Sequence, residues 1–479
     1  MPIIATTLIE ENSSNMIAAI DAFEPLSTKL GSELHRRLKE SSNERVRSKL
    51  VDALTHLHEK EPLALLNIAG SIRDKELQTI TKAFQPYTNW LSEQLSDSKL
   101  PHPQNELARL IGLSLELDHE AIWDAFAHSS SPSTRTRLIH RLPFQSKIPD
   151  VLIQRLRVEN DPGAIYAILL AIGGFEISRL NDHQRTTLES WLFEHYSLTL
   201  DSGVHAAIGW LLQKMGHEKQ LESINQQLAQ IGIRDRFDWY HRANGQLMIV
   251  IRTPEKFLNT LDEEHRTTEI RPFAIAANET TVEEFTQHLP NHVYDHNLST
   301  TIDSPILNVS VGDALEFCQI LDDRSVSIER EDESFRAHVQ LDRPGLRLPT
   351  EWEWEIACRA GTATSRFFGN DEEIQFIHNY ACLDVNSPLR PAGTGMPNPL
   401  GLFNIYGNAH EWTISHHALS SPTIENSFTV AIDENDLLII RGGFRDTPLA
   451  KITSGNRQFH LLASSAYRRY GFRIAHSLK

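Results

Sequence analysis

Thirteen residues in the second half of the chain combine glycines, amides, a carboxylate and aromatic rings without a helical or strand period. They run from Gly401 to Thr413 and read Gly-Leu-Phe-Asn-Ile-Tyr-Gly-Asn-Ala-His-Glu-Trp-Thr. Amide and carboxylate side chains beside glycines are typical of an active-site loop, because glycine permits the turns that bring such groups together. The sequence therefore predicts an irregular loop with a specific role here.

A second chemical feature is a concentration of arginines in the last forty residues of an acidic chain. Guanidinium groups bind carboxylates through planar, paired hydrogen bonds. We therefore predict a face that binds a protein partner, for example through an acidic peptide. The predicted binding residues are Arg445, Arg457, Arg468 and Arg469.

Histidines also cluster in this region, at positions His410, His416, His417 and His460. A transition-metal site is one interpretation, because imidazole nitrogen binds zinc, copper and iron. The alternative is that they are surface or loop histidines, and the total of 23 histidines in the chain favours it.

Composition excludes several classes of protein. The chain has 479 residues with a mean hydropathy of -0.34, and no apolar run approaches the roughly 20 residues of a membrane span. A net charge of -17 argues against direct nucleic-acid binding. The three cysteines, Cys318, Cys358 and Cys382, form no disulfide framework, and the first residues lack a basic signal-peptide segment. We therefore expect a cytoplasmic protein that does not bind membranes.

The first half of the chain is predicted to be helical. Apolar residues recur at helical spacing, for example over 50–57 and 204–215. An Asp-x-Gly turn leads into an alanine-rich helix at Asp161 and again at Asp201, 40 residues later. This period predicts a HEAT- or armadillo-like α-solenoid. An irregular helical bundle is the alternative.

The pattern changes near Asp238, where short apolar segments separated by turns predict strands. Thr350 with Glu353 forms a capping-box sequence that predicts a helix start. We therefore divide the chain into an α-helical repeat domain, residues 1–238, and a compact α+β domain, residues 239–479.

Four ordered motifs in the second domain resemble one known family. Residues 347–361 read RLPTEWEWEIACRAG, residues 398–413 read NPLGLFNIYGNAHEWT, and RGG and GFR follow at 441–443 and 471–473. The domain is similar to the formylglycine-generating enzyme, or sulfatase-modifying factor, superfamily. This resemblance implies a C-type-lectin-like α+β fold preceded by HEAT-like repeats, as in bacterial signalling proteins.

The resemblance also restricts the chemistry. Formylglycine-generating members bind copper through two cysteines shortly before the terminal Gly-Phe-Arg, but no cysteine follows Cys382 here. Serine cannot replace the thiolate that copper(I) requires, so we expect no copper. The iron-binding members use histidines of an N-terminal helical bundle, and the first half has no such helix-spaced trio. The resemblance further implies that Arg441 and Arg473 are structural parts of the fold.

A structural calcium site is a further implication of the resemblance. Its ligands are the side chains of Asn404 and Glu411 and the backbone carbonyls of Gly407 and Ala409. Oxygen donors of this kind suit calcium. The alternative is that these side chains only form hydrogen bonds within an irregular loop.

Three functions follow as hypotheses. The first is a non-catalytic regulatory or scaffold protein that binds a protein partner through its solenoid or its lectin-like domain, in a bacterial signalling or defence pathway. The second is an iron- or copper-dependent oxygenase with a metal site that lacks cysteine. The third is a lectin-like module that binds a peptide or a carbohydrate.

Overall fold

The computed structural model describes residues 2–478 apart from ten short segments. Those segments are 11–12, 24–25, 69–70, 74–75, 97–99, 102–103, 145–147, 262–269, 332–333 and 417–428. Helices occupy the described chain up to residue 231, and strands begin at residue 239. The predicted order of a helical region followed by an α+β region is therefore confirmed. Among the residues that the structure describes, no helix is long and apolar enough to span a membrane.

The helical region is compatible with a repeat architecture. Its helices are α1 (Pro2–Glu10), α2 (Ser13–Ala22), α3 (Ser27–Glu40), α4 (Glu44–Leu57), α5 (Pro62–Asn67), α6 (Leu77–Ala83), α7 (Thr88–Ser96), α8 (Gln104–Ser114), α9 (Glu120–Trp123), α10 (Ser133–Arg141), α11 (Ile148–Leu156), α12 (Pro162–Gly174), α13 (Asp182–Tyr196), α14 (Ser202–Lys214) and α15 (Glu218–Ile231).

The two Asp-x-Gly turns begin helices in the same way. The Asp161 carboxylate accepts a hydrogen bond of 2.8 Å from the Ala164 N–H at the start of α12, and Asp201 does the same for Val204 at the start of α14. A side-chain acceptor at this position satisfies one of the free N–H groups of the first helical turn. The local sequence therefore determines both helix starts.

The α+β region contains fourteen short strands and three further helices among its described residues. The strands are β1 (Trp239–His241), β2 (Leu247–Ile251), β3 (Phe273–Ala276), β4 (Val326–Glu331), β5 (Ser334–Gln340), β6 (Gly345–Arg347), β7 (Ala381–Cys382), β8 (Tyr406–Gly407), β9 (His410–His416), β10 (Thr429–Asp433), β11 (Leu437–Arg441), β12 (Gln458–Leu462), β13 (Tyr470–Gly471) and β14 (Ala475–Ser477). The helices are α16 (Val282–Thr286), α17 (Val311–Leu321) and α18 (Glu351–Arg359). Thr350 and Glu353 form the predicted capping box of α18.

Four small sheets arise from these strands. One has the order β1-β2-β3-β14-β6, a second β10-β5-β4, a third β12-β11-β9-β13, and a fourth β7-β8. In the third sheet β9 and β13 are parallel, and Glu411 lies opposite Gly471. The predicted irregular loop is wrong for residues 406–407 and 410–413, which lie in strands β8 and β9. The pairing of β9 with β13 brings this segment, still called the loop 401–413, beside the last motif of the chain. Within the apolar core, Phe285 and Phe317 are stacked, and Phe472 packs edge to face against both rings.

Compactness divides the chain into two units. The first comprises Met1–Ala127, Arg137–Glu159 and Gly174–Leu180, and the second comprises His128–Thr136, Asn160–Gly173 and Asn181–Lys479. Helices α13, α14 and α15 therefore belong to the same unit as the strands. The change from helices to strands lies near the proposed division between residues 238 and 239, and that division as a domain boundary stays a prediction.

Within the second unit, α14 packs closely against the loop before Asn404. A side chain at Gly401 would lie 2.8 Å from the Ser202 carbonyl oxygen and 2.9 Å from the Ala206 methyl, and one at Gly203 would overlap the Pro399 carbonyl. Backbone therefore meets backbone, which only glycine permits on both sides.

Candidate functional site

The carboxylate of the loop 401–413 is the centre of a buried ion pair. Glu411 accepts hydrogen bonds of 2.6 and 2.7 Å from Arg473, and a third of 2.7 Å from the Trp354 indole N–H. All three side chains are almost completely buried. The parallel pairing of β9 with β13 produces this contact, because Gly471 lies opposite Glu411 and Arg473 follows two residues later.

Arg473 has no N–H group left for a ligand. Its five N–H groups donate to the two Glu411 oxygens and to the carbonyls of Ala276, Ala277 and Phe403. A fully satisfied guanidinium holds the loop, β3 and the last motif together. This arrangement is structural, in agreement with the role expected for Arg473.

A second buried charge cluster lies on α18. Glu351 and Glu355 are one helical turn apart, so both face Arg441, which donates to them at 2.8 and 2.9 Å. Arg457 donates twice to Glu351, at 2.6 Å each, and its guanidinium lies 4.4 Å from the Trp352 ring centre. Arg457 is thus bound within the protein, and its role in partner binding stays a prediction.

Two of the other three predicted binding arginines lie close to one aromatic side chain. The guanidinium groups of Arg445 and Arg469 lie 5.9 and 5.2 Å from the Phe444 ring centre. Arg445 donates to the Ser387 carbonyl, and Arg469 pairs with Asp446 at 2.8 Å. Arg468 is exposed. We call Arg445, Arg468 and Arg469, together with the exposed Tyr467, the arginine face.

The geometry can now be compared with known proteins. The model of the sulfatase-modifying factor enzyme 1-like domain matches residues 240–478. This half of the chain belongs to that family. The two buried ion-pair clusters and the loop that carries Glu411 all lie within this sulfatase-modifying factor-like domain, and the loop and its Arg473 partner match the family motifs expected from the sequence.

Curated relatives match short stretches of this domain. The formylglycine-generating enzyme of Bos taurus is 31% identical over 123 residues, which cover 23% of this chain and 27% of that enzyme. The formylglycine-generating enzyme of Thermomonospora curvata is 35% identical over 95 residues, covering 16% and 31%. The serine/threonine-protein kinase pkn1 of Chlamydia pneumoniae is 38% identical over 68 residues, covering 14% and 10%. The chain thus spans less than a third of the length of these relatives.

The chain also matches solved structures, at lower identity. Treponema denticola variable protein 1 is 20% identical with a TM-score of 0.36, and the match covers 44% of this chain and 86% of that one. PvdO from Pseudomonas aeruginosa is 19% identical with a TM-score of 0.34, covering 48% and 94%.

The three cysteines of the domain are core residues. Cys318, Cys358 and Cys382 are all buried. Burial raises the pKa of the Cys318 and Cys358 thiols to about 12, so both stay protonated at neutral pH. Because the thiolate is the form that binds metals and attacks substrates, these two residues are suited to packing.

The predicted calcium ligands lie along the loop as the motif requires, and their contacts differ. The Asn404 side-chain oxygen is buried without a hydrogen-bond partner, which fits a metal ligand. Both Glu411 oxygens already accept from Arg473, which leaves little negative charge for a cation. At Gly407 and Ala409 the predicted ligand atoms are the carbonyl oxygens, while the N–H groups donate to the Gly442 carbonyl and to Glu279. The calcium site stays a prediction.

Glu279 is a buried carboxyl group that the sequence did not single out. It accepts hydrogen bonds from the Asn408 amide at 2.8 Å and from the Ala409 N–H at 3.2 Å. Burial, and then the neighbouring Glu411 carboxylate, raise the pKa of Glu279 to about 8. Arg473 lies close enough to oppose this shift but does not cancel it.

This shift predicts a pH-dependent stability. Between the unfolded value of 4.5 and about 8 the folded state binds one more proton than the unfolded state. The free energy of unfolding should therefore fall as the pH rises through this window, by at most about 1.4 kcal/mol per pH unit. Glu279→Gln, which keeps the size of the side chain and one acceptor oxygen but cannot ionise, should remove this slope in urea titrations. An unchanged slope would contradict the assignment.

The same titration tests calcium. A bound divalent cation lowers the pKa of a neighbouring carboxyl group. If calcium chloride removes the pH dependence of the free energy of unfolding in the unsubstituted protein, this result supports the predicted site. Magnesium chloride at equal concentration is the control for ionic strength.

His410 is the one member of the histidine group whose side chain the structure describes. It is buried beside Phe444 and Tyr470, and burial lowers its pKa to about 4. Its Nδ1 has no hydrogen-bond partner. His417 and the side chains of His416 and His460 lie outside the described part of the chain, so a metal site remains one interpretation of this group beside the favoured one of surface or loop histidines. Across the described residues, no group of three or more His, Cys, Asp and Glu side chains is arranged to hold a metal ion.

Sequence analysis missed a buried histidine pair. His205 on α14 and His241 on β1 approach to 3.1 Å between their Nε2 atoms. Burial lowers the pKa of both rings, that of His241 to about 4. The residues are 36 positions apart, and the only local signal was a polar ring within the apolar stretch that follows Asp201.

Proposed function

We propose that this protein is a non-catalytic regulatory or scaffold protein whose sulfatase-modifying factor-like domain binds an acidic segment of a protein partner. The observation that carries the proposal is the arginine face. Arg468 is exposed and Tyr467 is 51% exposed beside it, in a chain with a net charge of -17. Tyrosine and arginine are enriched at the centres of protein interfaces.

Three further observations support this function. The Phe444 ring lies beneath Arg445 and Arg469, so both guanidinium groups are held over a rigid apolar surface. The domain lacks the cysteines on which copper chemistry in the formylglycine-generating enzymes would depend, since none follows Cys382. The match to a serine/threonine-protein kinase of Chlamydia favours a place in bacterial signalling or defence.

The test uses the full chain and a fluorescein-labelled glutamate-rich peptide. Arg468→Glu/Arg469→Glu reverses two charges on the arginine face and should weaken binding at least tenfold, because charge-assisted hydrogen bonds contribute about 1.5–3 kcal/mol each. The affinity of the unsubstituted protein should also fall with added salt. Fluorescence anisotropy measures both effects.

The matched control is Arg343→Glu, which reverses an exposed charge on the turn between β5 and β6. This variant should bind the peptide with the same affinity as the unsubstituted protein. Equal affinity in the double variant, or equal binding of a lysine-rich peptide, would overturn the proposed function. The Arg469–Asp446 pair is 41% and 36% exposed, so the double variant should remain folded.

A further inference from the structure

The buried histidine pair has its tautomers determined by the backbone. His205 Nδ1 lies 2.8 Å from the Tyr196 carbonyl oxygen, and His241 Nδ1 lies 2.9 Å from the Gly245 carbonyl oxygen. A carbonyl oxygen only accepts, so each Nδ1 must carry the hydrogen. In a neutral ring the other nitrogen, Nε2, then carries a lone pair and no proton.

The two unprotonated Nε2 atoms face each other. The Nε2 atoms are 3.1 Å apart, and the ring centres are 5.3 Å apart. Two acceptors at this distance repel unless a cation lies between them or beside them. We propose that His205 and His241 are the protein ligands of a divalent transition-metal ion of the zinc class, whose remaining positions open onto the adjoining cavity.

The distances agree with this assignment. Zinc–nitrogen bonds are about 2.0–2.1 Å long, so nitrogens 3.1 Å apart subtend roughly 100° at the metal, close to a tetrahedral angle. The ion would lie to one side of the line between the nitrogens.

The surroundings of the rings have the arrangement found around metal-binding histidines. Such histidines donate their second N–H to a backbone carbonyl or a carboxylate, which orients the ring. Both rings do so here. His205 is also stacked between Trp239, at 3.5 Å between ring centres, and Tyr196, at 4.2 Å. The pair is thus oriented before any ion binds.

A cavity of about 190 Å³ adjoins both rings. Its lining includes polar side chains that can hold water or a small ligand, among them Asn225, Gln246 and Glu284. Since no third histidine, cysteine or carboxylate of the described residues completes a metal cluster, water or an external ligand supplies the other positions. A zinc ion with such open positions binds and polarises small oxygen-containing ligands.

The test measures zinc and cobalt binding to the full chain. Titration calorimetry with zinc chloride should give one site per chain, and cobalt chloride should give the visible absorption of a tetrahedral centre. His241→Gln places an amide N–H within reach of His205 Nε2, which relieves the repulsion without a metal. This variant should stay folded, and its affinity for zinc should fall by at least about 100-fold.

A surface variant separates the buried site from adventitious binding. His56 is partly exposed and lies beside Asp21 and Glu59, so it is a place where zinc can bind weakly. His56→Gln should leave the tight site unchanged. Loss of binding in His56→Gln with retention in His241→Gln would overturn the proposal.

A further possible outcome is that a proton, and not a metal ion, lies between the two Nε2 atoms. If neither metal binds the unsubstituted protein, and nitrogen NMR shows a single proton shared between the two Nε2 atoms, the pair is an imidazole–imidazolium and the metal site is wrong. Circular dichroism on each variant ensures that a lost site is not a lost fold.

Discussion

Replacing Arg473 with methionine is expected to lower the free energy of unfolding by about 3–5 kcal/mol. The guanidinium is fully buried and makes two short hydrogen bonds to Glu411. Methionine would leave the Glu411 carboxylate buried with only the Trp354 N–H as a partner, and the carbonyls of Ala276 and Phe403 would lose their donor. Urea denaturation followed by tryptophan fluorescence measures the change.

Two variants serve as controls for this prediction. Arg469→Met removes an arginine whose partner, Asp446, is on the surface, so its expected cost is about 0–1 kcal/mol. Adding Glu411→Leu to Arg473→Met removes the unpaired charge and should recover part of the loss. If Arg473→Met costs no more than Arg469→Met, the Glu411–Arg473 pair is not the anchor of the loop.

The second large effect is expected for Gly203→Ala, which should destabilise the second unit by about 2 kcal/mol. Alanine is the better helix former by about 1 kcal/mol, so helix propensity alone predicts stabilisation. The added methyl, however, would overlap the Pro399 carbonyl oxygen, which belongs to the backbone and cannot rotate away. Overpacking of this kind costs about 1–3 kcal/mol and occasionally more. Thermal denaturation should show a lower melting temperature.

The control for Gly203→Ala lies on the same helix. A methyl at Gly209 would lie 3.2 Å from a ring atom of Tyr196, which can shift by a few tenths of an ångström. Gly209→Ala should therefore have a much smaller effect. A stabilised Gly203→Ala would show that α14 does not pack against the loop at Pro399.

Helix starts and the order of elements were predictable because they depend on residues close together in the chain. Asp161, Asp201 and Thr350 each cap a helix whose first turn follows directly, and the structure confirms all three. The four motifs of the second half identify the family for the same reason, since each is a short contiguous segment.

The roles of the charged residues were harder to predict. Arg457 and Arg468 look alike in the sequence, yet one is bound to Glu351 and the other is exposed. Net charge and composition cannot separate them. Which arginine pairs inside the protein depends on where α18 places Glu351, more than a hundred residues earlier.

The loop 401–413 shows what the local sequence determines and what the tertiary structure determines. Its residue types alone indicate an irregular segment and, by resemblance, a calcium site. The partner of its carboxylate was decided by tertiary structure, because only the parallel pairing of β9 with β13 brings Arg473 to Glu411 across 62 residues. The His205–His241 pair has the same origin. Local sequence specifies backbone conformation and caps, whereas burial and pairing of charges depend on strands and helices that are distant in the chain.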